Sequence, residues 1–467
     1  MMRIPIATKS NTSRSRALSA ERVVNMAAQI QPEGAKSPVA LFSSPGLTSF
    51  GSIGSGPIRG MHVMGGALYV VSADGVYKVL ANGAATLLGS IGTAAGAVHM
   101  VDNGTQIFLV DNPNGWVVTS TTLTQITDAD WPGAATCAYL DGYGILNDPD
   151  TGRFYVTSLL DFSTVDALDF ATAESAPDDI LRVFVDHREL WLFGSHSTEV
   201  WVNTGNADFP FERQPGSILE RGTAAAGSVA KMDSSTFWLG DDRIVYRANG
   251  YQPMRISTHA IEQAIAGYAT VSDAVAFSYA LDGHTYYVLT FPTEAATWVY
   301  DASTQQWHER DSRASDISLG RWRAQSYAYC YGKHLVGDYS AGTVWEMSTS
   351  VHAEGSEDLV RLIQFPPLYA EGKRAFMYSL EVDMEVGVGL SGGQGSDPQV
   401  MLQWSDDGGN TWSNEHWKSI GPLGEYRTRV TWERLGSFRQ RTLRLSVSDP
   451  VRCVIYGAMA EIVGGSS

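Results

Sequence analysis

Residues 180–206 read ILRVFVDHRELWLFGSHSTEVWVNTGN and hold three short apolar runs, at 181–185, 190–193 and 200–202. Asp186-His187-Arg188-Glu189 and Gly194-Ser195-His196-Ser197 separate them. β-Branched and aromatic runs of this length, bounded by turn formers, spell consecutive antiparallel strands. With 47 glycines, 20 tyrosines and 13 tryptophans in 467 residues, the chain has the turns and the aromatics of an all-β protein.

The same unit returns along the middle of the chain. It reads Leu68-Tyr69-Val70-Val71 with Val76-Tyr77-Lys78-Val79, then Ile107-Phe108-Leu109-Val110 with Trp116-Val117-Val118. Arg153-Phe154-Tyr155-Val156 starts a third copy and Leu190-Trp191-Leu192-Phe193 a fourth. Phe237-Trp238-Leu239, Tyr286-Tyr287-Val288-Leu289 and His334-Leu335-Val336 follow. Successive offsets are 39, 46, 37, 47, 49 and 48 residues, about 44 on average. Self-similarity at that period with hairpin content is the mark of β-propeller blades, six or seven of them here. A large β-sandwich with coincidentally spaced strands is the alternative.

The rhythm divides the chain into three parts: an N-terminal arm at 1–58, a β-propeller at 59–355 and an antiparallel β-sandwich platform at 356–467. The arm is polar, with one or two strands around Val23-Val24 and 39–42, and cannot fold alone. Within the propeller, Ile261, Ala264, Ile265 and Tyr268 follow helical spacing, and Ser257 or Thr258 can cap a short helix. In the last part Leu380, Val382, Met384 and Val386 alternate with Glu381, Asp383 and Glu385, apolar inward and acidic outward. The Gly/Ser loop at 387–395 is too polar to bury.

Net charge is −17, the opposite of the balance that grips phosphates, so tight nucleic-acid binding is not expected. Cys137, Cys330 and Cys453 lie too far apart for a disulfide framework or a CxxC metal pattern and read as buried thiols of a protein made in the cytoplasm. No stretch is apolar enough for a transmembrane segment, and the N-terminus lacks the apolar core of a signal peptide.

The most specific motif is Ser405-Asp406-Asp407-Gly408-Gly409-Asn410-Thr411-Trp412, an Asp box of the form Ser-x-Asp-x-Gly-x-Thr-Trp. Ser405, Asp407, Gly409, Thr411 and Trp412 are expected to build a tight turn: Gly409 at positive φ, Asp407 bonding backbone N–H groups, Trp412 tucked beneath. Such boxes recur in sialidase propellers, and Arg3-Ile4-Pro5 echoes the same enzymes, which raises a sialidase-like glycoside hydrolase as the alternative function. That enzyme needs three arginines around a carboxylate. The spacing of Arg182, Arg188, Arg213, Arg221 and Arg243 singles out no trio. His187, His196 and the His352/Glu354 pair lack further metal ligands at workable spacing. Gly51-Ser-Ile-Gly54-Ser-Gly56 precedes no helix and is a linker. Residues 161–170, acidic and aromatic, read as an inter-blade crossing or a partner-docking loop. No catalytic, cofactor or metal site is assigned.

The order of parts resembles one family. Asn25-Met26 leads to Pro45-Gly46-Leu47. Glu189-Leu190-Trp191-Leu192-Phe193-Gly194-Ser195 precedes Ser197-Thr198-Glu199-Val200-Trp201. Gly216-Ser217-Ile218, Arg221-Gly222-Thr223-Ala224, Val299-Tyr300-Asp301-Ala302-Ser303 and Glu433-Arg434-Leu435-Gly436 follow in turn. Over nearly the whole chain this is similar to the packaged-DNA stabilisation proteins of short-tailed bacteriophages, the tail hub or nozzle. The resemblance implies a non-enzymatic virion tail protein without cofactors. It implies a hexameric tube below the portal and adaptor ring, touching the tail needle or plug and the tailspikes or fibres. DNA would be retained by it and later pass through it without specific binding. The propeller would lie on the periphery, and the N-terminal arm and sandwich would together line the channel. A carbohydrate- or receptor-binding propeller of a virion or cell surface is a third reading.

Overall fold

The computed structural model describes residues 1–313 and 319–465. Its elements are strands almost throughout; among the described residues the one α-helix is His259–Ala266. Five antiparallel four-stranded sheets stand alone, at 58–90, 99–125, 137–172, 180–213 and 230–255. A sixth unit of four strands spans 275–309. The seventh has three strands within 324–348 and takes its fourth, Gly46–Ser52, from near the N-terminus.

The hydrophobic core of this region is divided into seven clusters, each between two successive units. Val71, Leu109 and Trp116 join the first unit to the second; Ile58, Leu68, Leu335 and Val344 join the seventh back to the first. The chain is therefore a closed β-propeller, and the spacing that allowed six or seven blades resolves to seven. A single blade is too thin to exclude water; both of its faces are dry only because a neighbour lies on each.

Blade 4 shows how sequence sets the unit. Ile180–Asp186, Glu189–Gly194 and Thr198–Asn203 are its first three strands. His187 and Arg188 join the first two with φ of 50° and 63°, the mirror-image turn whose twist suits a two-residue hairpin. Blade 3 corrects the repeat reading. Arg153–Thr157 is its third strand, and its second is Tyr143–Asn147. The apolar stretch there is only Ile145-Leu146, and Pro149 follows closely, so the louder signal lay one strand downstream. Residues 161–170 also differ from expectation, for they cross between no blades. Phe162 is fully buried against Phe108, and Val165–Thr172 is the outer strand of blade 3.

The helix buries Ile261 and Ile265 as its spacing requires. Its cap differs: Thr258 holds the capping position without a side-chain hydrogen bond, and the Ser257 hydroxyl donates to Glu262 at 2.8 Å.

The C-terminal module is a β-sandwich. One sheet runs Met26–Ile30, Val39–Ser43, Val454–Gly464, Ala375–Met384 and Val430–Glu433, with Met2–Ile4 on the strand Val454–Gly464. The facing sheet runs Ala20–Val24, Arg361–Gln364, Gln440–Val447, Gln399–Ser405 and His416–Ser419. Between them Ile4, Val23, Met26 and Leu41 of the arm share one core with Leu380, Leu402, Trp432 and Leu445. The arm holds six strands rather than one or two, and serves both modules: Gly46–Ser52 closes the propeller while the strands before it complete the sandwich.

Candidate functional site

The two modules meet at a joint of buried charge. Blade 6 ends in Gln306–Glu309, and Glu309 pairs with Val24, so the blade continues through the arm into the sandwich as one sheet. Asn25, at φ 53°, clamps the crossing: its amide donates to the carbonyls of Asp311 (2.9 Å) and Val360 (2.8 Å). Arg22 donates through Nε and Nη2 to the Glu309 carboxylate, which also accepts from the Ser10 hydroxyl. One step further, Glu354 accepts from Ser312 (2.5 Å), the Trp322 indole (3.0 Å) and Arg323 (3.1 Å). Arg310, fully buried, lies 3.6 Å from the same carboxylate and over the Trp322 ring. Arg361, also buried, donates to the carbonyls of His352, Asp449 and Val451. Buried pairs of this kind add little net stability but penalise any arrangement that separates them, which fixes one relative pose of the two modules.

Burial and the neighbouring Glu309 push the Asp311 carboxyl up to about 7. Burial pushes His308, three residues earlier, down to about 3.

The Asp box forms the turn its sequence implies. Asp407 accepts from the backbone N–H groups of Asn410 and Thr411 and from the Thr411 hydroxyl, and these bonds hold its carboxyl well below the usual range. Gly409 has φ of 88° and donates to Ser405 Oγ at 2.7 Å. Trp412 lies under Gly409 and is covered by the Arg444 guanidinium, 4.0 Å from its ring. The neighbouring Asp406 accepts from Nε and Nη2 of buried Arg441. The box is a staple of the sandwich, its Ser405, Asp407 and Thr411 side chains engaged in their own turn and Asp406 with Arg441.

The other sequence candidates are scattered. Arg188 pairs with Asp141, Arg213 with Glu199, Arg221 with Asp242, and Arg243 donates to the carbonyls of Ala266 and Tyr268. Arg182 faces His99 at the propeller axis. Five arginines with five separate sets of partners form no carboxylate-binding trio. Arg3, of the Arg-Ile-Pro match, bonds Ser37 and the Tyr456 carbonyl in the sandwich. His187 and His196 sit exposed in turns beside Asp186 and Asp241. Among the described residues no three metal-ligating side chains converge. The three cysteines are buried and free, and burial raises Cys137 to about 12 and Cys453 to about 11.

The acidic row of the sandwich is more nearly neutral than its sequence suggests. Glu381, Asp383 and Glu385 do alternate with buried Leu380, Val382 and Met384, but each meets a cation: Arg429 at 2.5 Å, Lys36 at 2.5 Å and Arg452 at 3.0 Å. Lys36 comes from the arm, so its hairpin also screens this face. No helix of the described residues is long and apolar enough to cross a membrane.

Two modules, a propeller and a sandwich joined in this order and sharing an N-terminal arm, bear on which family the chain falls in. A family model described as Bacteriophage P22 Gp10, beta-propeller, matches residues 2–352, and a second, Bacteriophage P22 Gp10, beta-sandwich, matches residues 361–463. The chain belongs to this family. It is a phage structural protein of the podoviral tail hub and stabilisation group. No curated protein matches it. Among solved structures it is similar to the computationally designed Ika8 protein, at 12% identity over 64% of this chain and 99% of that one, with a TM-score of 0.38. It is also similar to the N-terminal domain of Nup159, at 8% identity over 68% of this chain and 98% of that one, with a TM-score of 0.40. PorZ of Porphyromonas gingivalis matches at 11% identity over 80% of this chain and 46% of that one, with a TM-score of 0.38. Likeness at these scores carries no functional argument.

Sequence reasoning missed the joint. Nothing in His308-Glu309-Arg310-Asp311 marks it as interior, because four polar side chains in a row are normally surface. Only a partner far along the chain makes them interior.

Proposed function

We propose that this protein is the tail hub or nozzle of a short-tailed phage, located in the virion tail, where it retains the packaged genome and serves as its conduit at ejection. Six copies form the tube, beneath the portal and adaptor ring and in contact with the needle or plug and the tailspikes or fibres. The observation that carries this reading is the family match, which spans both modules and leaves few residues outside.

The physical properties are compatible with that role. A net charge of −17 disfavours adhesion of DNA, as a conduit requires. The buried joint gives each subunit one rigid pose, and a ring carrying axial load needs subunits that do not hinge. Closed rings are the common form of symmetric homo-oligomers.

Light scattering coupled to size exclusion tests the assembly. A mass of six chains, alone or after addition of the adaptor ring, is expected. A monomer that cleaves a fluorogenic sialoside would overturn the reading in favour of the hydrolase.

A further inference from the structure

The axis of the propeller is an open cleft of about 700 Å³, bounded by the innermost strands of five blades and the turn before blade 5. Four of its lining residues can carry charge near neutral pH: Arg59, His99, Arg182 and Asp273. One of them is already satisfied. Arg59 donates to the carbonyls of Gly96, Ala73, Thr93 and Ala95 and to the Thr93 hydroxyl, which uses its whole fork. Asp273 accepts from the Thr293 N–H and hydroxyl through one oxygen, its other oxygen is buried without a partner, and it is among the charges acting on buried Arg321.

Arg182 is different. It follows a β-bulge at the start of blade 4, the irregularity that re-aims a side chain, and reaches past blade 3 to His99 of blade 2. Its Nη1 faces both ring nitrogens of His99, a neighbour that brings no counter-charge. Nε is buried with no partner, and among the described residues no carboxylate lies within ion-pair distance. The group nearest by charge is the Cys137 thiol, which burial keeps protonated. Burial lowers Arg182 to about 10, and burial together with the Arg182 charge holds His99 well below its ordinary value.

A half-buried guanidinium with an unpartnered inner N–H and no counterion is costly, and an oxyanion in contact with it is the usual remedy. We infer that the axial cleft of the propeller binds a small oxyanion, a carboxylate or phosphate group, on the fork of Arg182. The cleft has the volume of a small-molecule site. This site belongs to the propeller alone and stands or falls independently of the role in DNA retention.

Equilibrium dialysis against inorganic phosphate and against acetate, at constant ionic strength in chloride, tests it. The intact protein is expected to bind at least one of the two saturably, one per chain. Arg182→Met should lose that binding, and Arg188→Met, on an exposed arginine paired with Asp141, should keep it. Arg182→Lys keeps the charge and loses the fork, so it remains informative if the Met variant does not fold; affinity should fall about tenfold or more. Absence of saturable binding above the chloride background overturns the proposal, as does wild-type affinity in Arg182→Lys.

Discussion

Asp311 lies where three chain segments cross, beside Glu309 and within reach of Arg22 and Arg310. Its folded-state carboxyl, near 7, is well above the ordinary 3.8, so the folded protein binds a proton there that the unfolded chain releases. Stability from this group is intact below about pH 4 and falls as pH rises to 7. Asp311→Asn removes the titration. Its gain should be absent near pH 3, grow through the window and level off above pH 7 at about 1–3 kcal/mol. Urea unfolding at four pH values checks it; a gain independent of pH would contradict the assignment. Glu354 gives the opposite case. Glu354→Ala leaves Arg310 buried with no counterion and should cost about 3–5 kcal/mol in the same assay. At the Asp box, Asp407→Ala should expose the amides of Asn410 and Thr411 to rapid hydrogen exchange while the strand at 440–447 keeps its protection; unchanged exchange at 410 and 411 would show the carboxylate is not the clasp. The turn of the box was legible because the bonds of Asp407 and Ser405 are local, all to residues within four positions. The joint was not, since Asn25 reaches carbonyls 286 and 335 residues away.

Blades are the elements the sequence announces best. Their strands alternate with turns of two to seven residues, most of five or fewer, and both the aromatic runs and the Gly/Asp breaks act over a few residues. Blade 3 blurred because a weak strand precedes a strong one, and residues 161–170 misled because their acidic side chains hid the buried Phe162. The strand that closes the ring announced nothing, for Gly46–Ser52 is recognised only by its pairing with Thr343–Ser348. Its first residue is a point of close approach: a Cβ at Gly46 would run into the carbonyl oxygens of Val351 and Ala353. Gly46→Ala should therefore lower stability by about 1–3 kcal/mol. Limited proteolysis should then cut first in blade 7 and the arm; cleavage confined to the sandwich would place the weak point elsewhere.

Across the whole molecule the arm ties the two modules together, because its strands are built into the last blade and into both layers of the sandwich. The all-β class, the propeller and the sandwich were legible as changes in strand spacing. The rigid joint between them was not, since it depends on charges that meet only after folding. A protein so tied can bear load without opening, and its acidity disfavours holding DNA; both are compatible with the proposed gate and conduit. The decisive measurement is genome retention in the phage that encodes this chain. Particles assembled without it should package DNA but lose it, so that nuclease-protected genome falls to a small fraction and returns when the purified protein is added before the heads empty. Full nuclease protection in its absence would contradict the account.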